Sequence, residues 1–419
     1  MWKMVLCAAV LLVSPFSVTA QSSQPREVTF SKDVAPILYQ NCVECHRPGE
    51  VAPFSLLTYQ NARPWAKSIR QAVIQRKMPP WFGDSHFGDF ANDRRLSDKD
   101  IETITAWIDG GAKEGNRADM PTPPQYSDGW QIGKPDLILS MKDAYAIPAS
   151  GQIPWLTLPS EDYEFTEDVW VQAIEIRPGN RAAVHHATAQ GTDGTEYLHL
   201  YSPGIEPMIW RDGYGKLIKK GTHIQFQMHY QATGKEQTDK TAVGFVFSKK
   251  PVHTQVHTTQ FSNSNFLIPP MVSSHELISA FQFPGTSRIH SLRPHMHLRA
   301  QNDTTSLITP DGKRRVLLNQ PKWDNMWQNF YAFSEAVQVT KGTILEYVAN
   351  YDNSPANPVN PDPASPVKPG GQVEEEMHVL YLTFTEISPA NINDAEPIQV
   401  SPRKAFATGL LGKPGQTER

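Results

Sequence analysis

Residues 223–230, His-Ile-Gln-Phe-Gln-Met-His-Tyr, alternate polar and apolar side chains, which is the pattern of a β-strand with one buried face. Similar short runs, apolar or alternating, follow one another after Asp136 and are separated by Pro, Gly, Asn and Asp. The clearest of them are 168–176, 242–247, 277–283, 345–351 and 377–384. Many short strands joined by turns predict antiparallel β-sandwiches of the jelly-roll type.

The region before these strands has a helical pattern. Residues 64–74 place apolar side chains at helical spacing, and 96–111 begin with Ser97 as a helix cap and end at two glycines. At 419 residues the chain exceeds what one hydrophobic core usually organises. We therefore expect a multidomain chain with a small all-α domain followed by two antiparallel β-sandwiches. The expected bounds are 28–118 for the α domain, 119–135 for a linker, 136–250 and 251–390 for the sandwiches, and 391–419 for a tail.

Composition narrows the classes of partner. Charged residues make up 20% of the chain, hydrophobic residues 39%, and the formal net charge is -4. These values indicate neither disorder nor a basic surface for nucleic acid. We expect the partner to be a small molecule or another protein.

The N-terminus has the pattern of an export signal. Lys3 precedes an apolar run, 5–13, and a small-residue end at Val18-Thr19-Ala20. The alternative is a membrane anchor, but the run is shorter than the roughly 20 apolar residues needed to span, and no later segment qualifies. We expect 1–20 to be a cleaved signal peptide and the protein to be periplasmic or secreted, with no membrane span.

Residues 42–46, Cys-Val-Glu-Cys-His, have the C-x-x-C-H pattern of covalent haem c attachment. Cys42 and Cys45 would each bond a haem vinyl group, and His46 would ligate the iron. The alternatives are a redox cysteine pair or half of a zinc site, but no second cysteine pair follows. Met78, before two prolines, is the candidate for the sixth ligand, against His86 or a role for Met78 in the core. The region resembles a class I cytochrome c, so we expect the α domain to be a cytochrome c domain.

Several of the 14 histidines fall in clusters. The clusters are His185-His186, His229-Tyr230, and His295-Met296-His297. In a strand, His295 and His297 point to the same face and can reach one metal. Adjacent His185 and His186 point to opposite faces, so sharing a metal requires a bulge or a strand end. Each cluster alone is compatible with structural histidines, whereas three together favour copper or zinc.

The order of these motifs, from about 169 to 384, resembles the copper type II, ascorbate-dependent monooxygenases that hydroxylate peptidylglycine and dopamine. That family carries, in order, a His-His pair, a His-Tyr, an Ile-Pro-Pro strand start, a His-x-His and a Met after an acidic residue. This chain has His185-His186, His229-Tyr230, Ile268-Pro269-Pro270, His295-x-His297 and Glu376-Met377.

The resemblance implies two copper ions in separate sandwich domains that face a solvent cleft. One copper would store electrons and be held by His185, His186 and His229. The other would bind oxygen and substrate and be held by His295, His297 and Met377. A thioether ligand favours Cu(I), the state that binds oxygen. His223 is the alternative ligand for the first set.

Two further positions match family residues that contact the substrate carboxylate, Arg293 and Tyr381, although both could be strand-surface residues. Val379 replaces a polar contact between them, which argues against a peptide substrate. The function expected is a copper monooxygenase that hydroxylates a small organic substrate with O2. Electrons would come through the c-type haem, with ascorbate as a possible reductant and a redox protein as a possible donor. The alternatives are an electron-transfer or copper-binding protein without hydroxylase activity, and a cytochrome-linked oxidase or dehydrogenase.

Overall fold

The computed structural model describes residues 27–125, 129–192, 197–394, 396–401 and 410–411. The expected signal peptide lies outside these residues. Within them, every helix is too short or too polar to cross a membrane.

The N-terminal segment contains short helices joined by loops. They are α1 (Ala35–Asn41), α2 (Tyr59–Ala62), α3 (Ala66–Ile74) and α4 (Asp98–Asp109), with single turns at Phe30–Val34, Arg63–Trp65 and Arg117–Asp119. The hydroxyl of Ser97 caps α4 by accepting the Asp100 N–H at 3.1 Å. Phe30, Leu38 and Trp107 form the centre of a small core in this segment.

The expected fold class, a small all-α cytochrome c domain ahead of two antiparallel β-sandwiches, is wrong. The described chain is mostly β-sheet, and the helices do not form an all-α domain of their own. The connection between α3 and α4 leaves the helices and packs on the second half of the chain, where Trp81 and Phe90 join the core beside Tyr331. Helical periodicity in the sequence did not predict this packing, because Trp81 and Phe90 lie in a loop.

Twelve strands form the first half of the β region. They are β1 (Leu137–Ser140), β2 (Tyr145–Ile147), β3 (Leu156–Pro159), β4 (Val169–Arg177), β5 (Val184–Gly191), β6 (Tyr197–Tyr201), β7 (Met208–Ile209), β8 (Tyr214–Ile218), β9 (Ile224–Tyr230), β10 (Gln237–Asp239), β11 (Ala242–Phe247) and β12 (Thr254–Gln255). One sheet has the order β1-β11-β4-β8-β12, with β7 beside β4, and another has the order β3-β9-β5-β6. The two share a core that includes Ile174, Phe226 and Phe245. The first sheet is mixed, because β12 runs parallel to β8.

Eight strands form the second half. They are β13 (His257–Ser262), β14 (His275–Gln282), β15 (Ser287–His295), β16 (Ala300–Ile308), β17 (Arg314–Gln320), β18 (Tyr331–Val339), β19 (Ile344–Tyr351) and β20 (Val379–Glu386). They form two sheets, β13-β20-β15-β18 and β14-β19-β16-β17. Leu292, Tyr347 and Leu382 are fully buried between them.

The chain beyond β20 ties the two halves together. The Val400 N–H donates to the Ile209 carbonyl at 2.8 Å, and the Arg211 N–H donates to the Ile398 carbonyl at 2.9 Å. At the other end of this segment, the guanidinium of Arg288 donates to the Asn391 carbonyl at 2.9 Å. The segment therefore begins against the second half and ends against the first, which holds the halves in contact.

Candidate metal centre

Three of the candidate ligands come from two neighbouring strands of one sheet. His185 and His186 begin β5, His229 lies near the end of β9, and His186 pairs directly with His229. The register shifts between Val184 and His186, a local bulge that turns the adjacent histidines toward one another. Their Nδ1 atoms are 3.1 Å apart, and one ligand atom from each of the three rings lies within 4.8 Å of the others. We call these residues the three-histidine set.

The other three candidate ligands lie at strand ends in the second half. His295 ends β15, His297 follows it, and Met377 precedes β20. The Nε2 atom of His295 is 3.2 Å from the Met377 sulfur, and the two imidazole rings are 5.4 Å apart between centroids. We call these residues the thioether set.

Both rings of the thioether set are oriented by hydrogen bonds. The Nδ1 atom of His295 is 2.6 Å from the Gln328 side-chain oxygen, and that of His297 is 3.2 Å from the Glu375 carbonyl. An Nδ1–H that donates to oxygen leaves Nε2 free to bind a metal. Sequence patterns had not indicated Gln328, because it lies in a loop that is 33 residues from His295 along the chain.

The two sets are adjacent. The rings of His186 and His295 are 5.8 Å apart between centroids, and both side chains are buried. The resemblance implied separate sites facing a solvent cleft, whereas here the halves meet directly between the sets. The Arg293 guanidinium donates to the Ser202 hydroxyl across this interface at 2.5 Å.

The electrostatics favour neutral imidazoles, the form that binds metals. Burial lowers the pKa of His185 to about 4 and that of His297 to about 4. Burial also lowers the pKa of His186, His229 and His295. The Nε2 atom of His186 is buried without a hydrogen-bond partner in the described chain. Neutral nitrogens in a largely buried cluster, together with a thioether, fit copper as a bound ion.

An aromatic side chain covers the three-histidine set. The ring of Trp155 lies 4.9 Å from that of His186 and 6.0 Å from that of His229. Its backbone N–H donates to the Gln372 side chain of the second half at 3.3 Å. Sequence reasoning missed Trp155, which has no metal-binding atom. It also placed His223 as an alternative ligand, but His223 is exposed beside Glu164.

Arg293 and Tyr381 both lie at the interface of the halves. Burial lowers the pKa of Arg293 to about 10. Its Nε and Nη1 atoms have no partner in the described chain. The ring of Tyr381 is 6.3 Å from that of His295 and 5.0 Å from that of Tyr197. The guanidinium therefore retains two unpaired N–H groups near the thioether set.

Cys42, Cys45 and His46 follow α1 directly. Both cysteines are free thiols, and burial raises the pKa of Cys42 to about 12 and that of Cys45 to about 11. The Nδ1 atom of His46 is 3.2 Å from the Phe54 carbonyl, which leaves Nε2 available to an iron. These three residues fit a covalently attached haem. Met78, the candidate sixth ligand, lines a cavity of about 610 Å³. Cys42, Cys45 and His46 are not among the residues that line this cavity.

The segment around Cys45 is docked on the first half of the β region. The Glu50 carboxylate is 3.0 Å from the Arg181 guanidinium, and the Arg94 guanidinium donates to the Gly204 carbonyl. A Cβ atom added at Gly204 would lie 3.4 Å from the Cys45 sulfur. The candidate haem attachment therefore lies against the loop that follows β6, and β6 is the hydrogen-bonded neighbour of β5.

Comparisons with known proteins identify no family. No family model and no curated protein match the chain. Among solved structures, the major capsid protein P2 of bacteriophage PM2 covers 61% of this chain and 98% of its own length, at 10% identity and a TM-score of 0.29. The infectious bursal disease virus Gx strain structure covers 66% and 76%, at 11% identity and a TM-score of 0.18. TM-scores this low carry no argument about fold or function.

Proposed function

We propose that this chain is a copper-dependent monooxygenase that hydroxylates a small organic substrate with O2, and that it receives electrons through a haem attached at Cys42 and Cys45. The observation that carries the proposal is the meeting of two unlike donor sets at one buried interface. Bound copper would supply one-electron redox chemistry and the activation of oxygen.

The two sets would have different roles because their metal-binding atoms differ. Three imidazoles suit an ion that exchanges electrons, whereas the Met377 sulfur favours the reduced ion that reacts with oxygen. Gln328 and the Glu375 carbonyl hold the rings of His295 and His297 in fixed orientations. The thioether set is therefore proposed as the site of substrate oxidation.

Arg293 and Tyr381 are proposed as substrate contacts. The guanidinium is buried and has two N–H groups without partners, an arrangement suited to an anionic or carbonyl group of the substrate. Arg293 is buried at the interface of the halves. A small substrate fits this buried position better than an extended peptide.

The docking of the Cys45 segment supports electron delivery within the chain. A haem there would supply single electrons. The Cys45 sulfur lies close to Gly204, in the loop that follows Tyr201. Tyr201 pairs with Ala187, the residue after His186. A donor attached to the same chain is held at high effective concentration near its acceptor, which a diffusing reductant such as ascorbate is not.

The alternative is an electron-transfer or copper-binding protein without hydroxylase activity. The burial of His185, His186, His295 and His297 favours it, since an oxygenase must admit O2 and substrate. Turnover distinguishes the two proposals, because only a monooxygenase consumes oxygen in proportion to hydroxylated product.

Metal analysis and stopped-flow spectroscopy test the proposal. We expect two coppers and one haem iron per chain, and we expect chemically reduced haem to reoxidise quickly only when both copper and oxygen are present. The comparison includes wild type, copper-free protein, His185→Ala and, as a matched control, His275→Ala on β14. Equal reoxidation in copper-free and wild-type protein would favour the alternative, and a single zinc per chain would exclude the monooxygenase.

A further inference from the structure

Glu376 is fully buried beside the thioether set. It forms hydrogen bonds with both chain segments that carry the residues of that set. One carboxylate oxygen accepts the His297 N–H at 2.8 Å and the Met377 N–H at 3.1 Å. The other accepts the Arg299 N–H at 2.7 Å. Three backbone donors from two segments therefore converge on a single side chain.

These donors lie where the sheet no longer supplies partners. The pairing of β15 with β20 ends at His295 and Val379. Beyond that pair the two segments diverge, and the N–H groups of His297 and Met377 would be buried without acceptors. Because a buried N–H without an acceptor is destabilising, a carboxylate that accepts three of them fixes the local backbone.

We propose that Glu376 is a positioning residue that sets the separation of His297 and Met377, and thereby the fit of the thioether set to its metal. The inference rests on the proposed function, because it takes these residues to be ligands. Glu376 itself is not assigned as a ligand, since both of its oxygens already accept backbone hydrogen bonds.

The three-histidine set serves as an internal reference. Its residues come from β5 and β9, and among the described residues none of them hydrogen-bonds to Glu376, so a change in Glu376 should leave copper there unchanged. Glu376→Gln replaces one acceptor oxygen with an NH2 group that faces a backbone N–H. Loss of such an outer contact typically weakens metal binding 10- to 100-fold. We expect a loss of at least about tenfold, confined to the thioether set.

Copper titration of the reduced full-length protein against a Cu(I) chelator measures both affinities, and X-ray absorption detects sulfur bound to copper. Wild type should bind two coppers with a sulfur signal. Glu376→Gln should still bind copper tightly at the three-histidine set. Copper at the thioether set should bind more weakly, and the sulfur signal should fall. The matched control is Glu276→Gln, the same substitution on the exposed face of β14, which should behave as wild type.

The outcomes separate the two proposals. Two tight coppers and an unchanged sulfur signal in Glu376→Gln would overturn the positioning role but leave the proposed function intact. A wild type without sulfur-bound copper would overturn the proposed function and the inference with it. If Glu376→Gln loses its near-UV circular dichroism, Glu376→Asp decides: its shorter carboxylate keeps the charge but cannot reach both segments. Wild-type affinity in Glu376→Asp would then reject the proposal.

Discussion

The three-histidine set and the thioether set are positioned by different physical means. In the first, the register of β5 and β9 and one bulge place all three rings, and the Nε2 atom of His186 has no hydrogen-bond partner among the described residues. In the second, His295 is the last paired residue of β15 and the other two ligands lie just beyond the paired ends of β15 and β20, and hydrogen bonds from loops orient the two rings. Strand pairing is distributed over many residues, whereas an oriented loop depends on a few contacts. The thioether set should therefore be the more sensitive to single substitutions.

The largest effect is expected at the sulfur. Met377→Ile keeps an apolar side chain of similar size but removes the thioether, so hydroxylation should be abolished while the copper at the three-histidine set still binds and is reduced. Product analysis, copper content and the spectrum of the reduced protein check this. Met326→Ile, at an exposed position, is the matched control. Product formation by Met377→Ile at the wild-type rate would contradict the assignment of the thioether set.

Loss of the amide that orients His295 should have the next largest effect. Gln328→Leu removes the acceptor 2.6 Å from Nδ1 and keeps the approximate volume of the side chain. Copper affinity at the thioether set should fall about 10- to 100-fold, without change at the three-histidine set. Chelator competition measures both values. Gln231→Leu, whose amide contacts only a backbone carbonyl, is the control; equal losses at the two sets would mean that a more general change of structure is responsible.

The same contrast explains how much of the site the sequence could predict. Strand periodicity predicted that His295 and His297 share a face, whereas a shared metal at His185 and His186 required a bulge that periodicity alone does not predict. The structure brings each group together. Trp155, Gln328 and Glu376 were missed as contributors because they act through contacts between segments distant in sequence. Only three-dimensional packing reveals such contacts.

The fold was likewise predictable where it depends on local periodicity and not where it depends on contacts between distant segments. Alternation along 223–230 indicated a strand, and β9 spans Ile224–Tyr230. The helical pattern at 96–111 indicated α4 with its Ser97 cap. The prediction of a separate all-α domain failed because Trp81 and Phe90 pack in the second half rather than among the helices. Local periodicity specifies an element, but it does not specify which core the element joins.

A smaller effect is expected where the N-terminal segment docks beside the three-histidine set. Arg181→Glu places a second carboxylate against Glu50 and should loosen the docking of the Cys45 segment. Reoxidation of the haem should slow several-fold, with copper content unchanged, and the difference should grow at low ionic strength, where charge repulsion is least screened. Stopped-flow absorbance measures the rate. Lys235→Glu makes the same charge change in an exposed turn, and a similar slowing there would show that net charge alone is responsible.

The smallest effect concerns a buried acid in each half. Asp239, in the first half, accepts the Asn180 N–H at 2.8 Å and the Tyr230 hydroxyl at 2.9 Å, one on each oxygen. Asp303, in the second half, accepts only the Gln320 amide at 2.8 Å, and its other oxygen has no partner in the described chain. Burial raises the pKa of Asp303 to about 8. The two halves should therefore respond differently to pH.

The direction follows from proton binding. Between pH values of about 4 and 8 the folded protein keeps the proton on Asp303 while the unfolded chain has released it, so stability falls as pH rises through this range and then levels off. Asp303→Asn cannot ionise, and its Tm should lose this pH dependence and exceed that of wild type by a few degrees at pH 8. Calorimetry of the metal-free protein between pH 5 and 9 measures the difference, with Asp143→Asn at an exposed position as control. Parallel Tm profiles for wild type and Asp303→Asn would mean that Asp303 is already ionised in the folded protein, and the contrast with Asp239 would be lost.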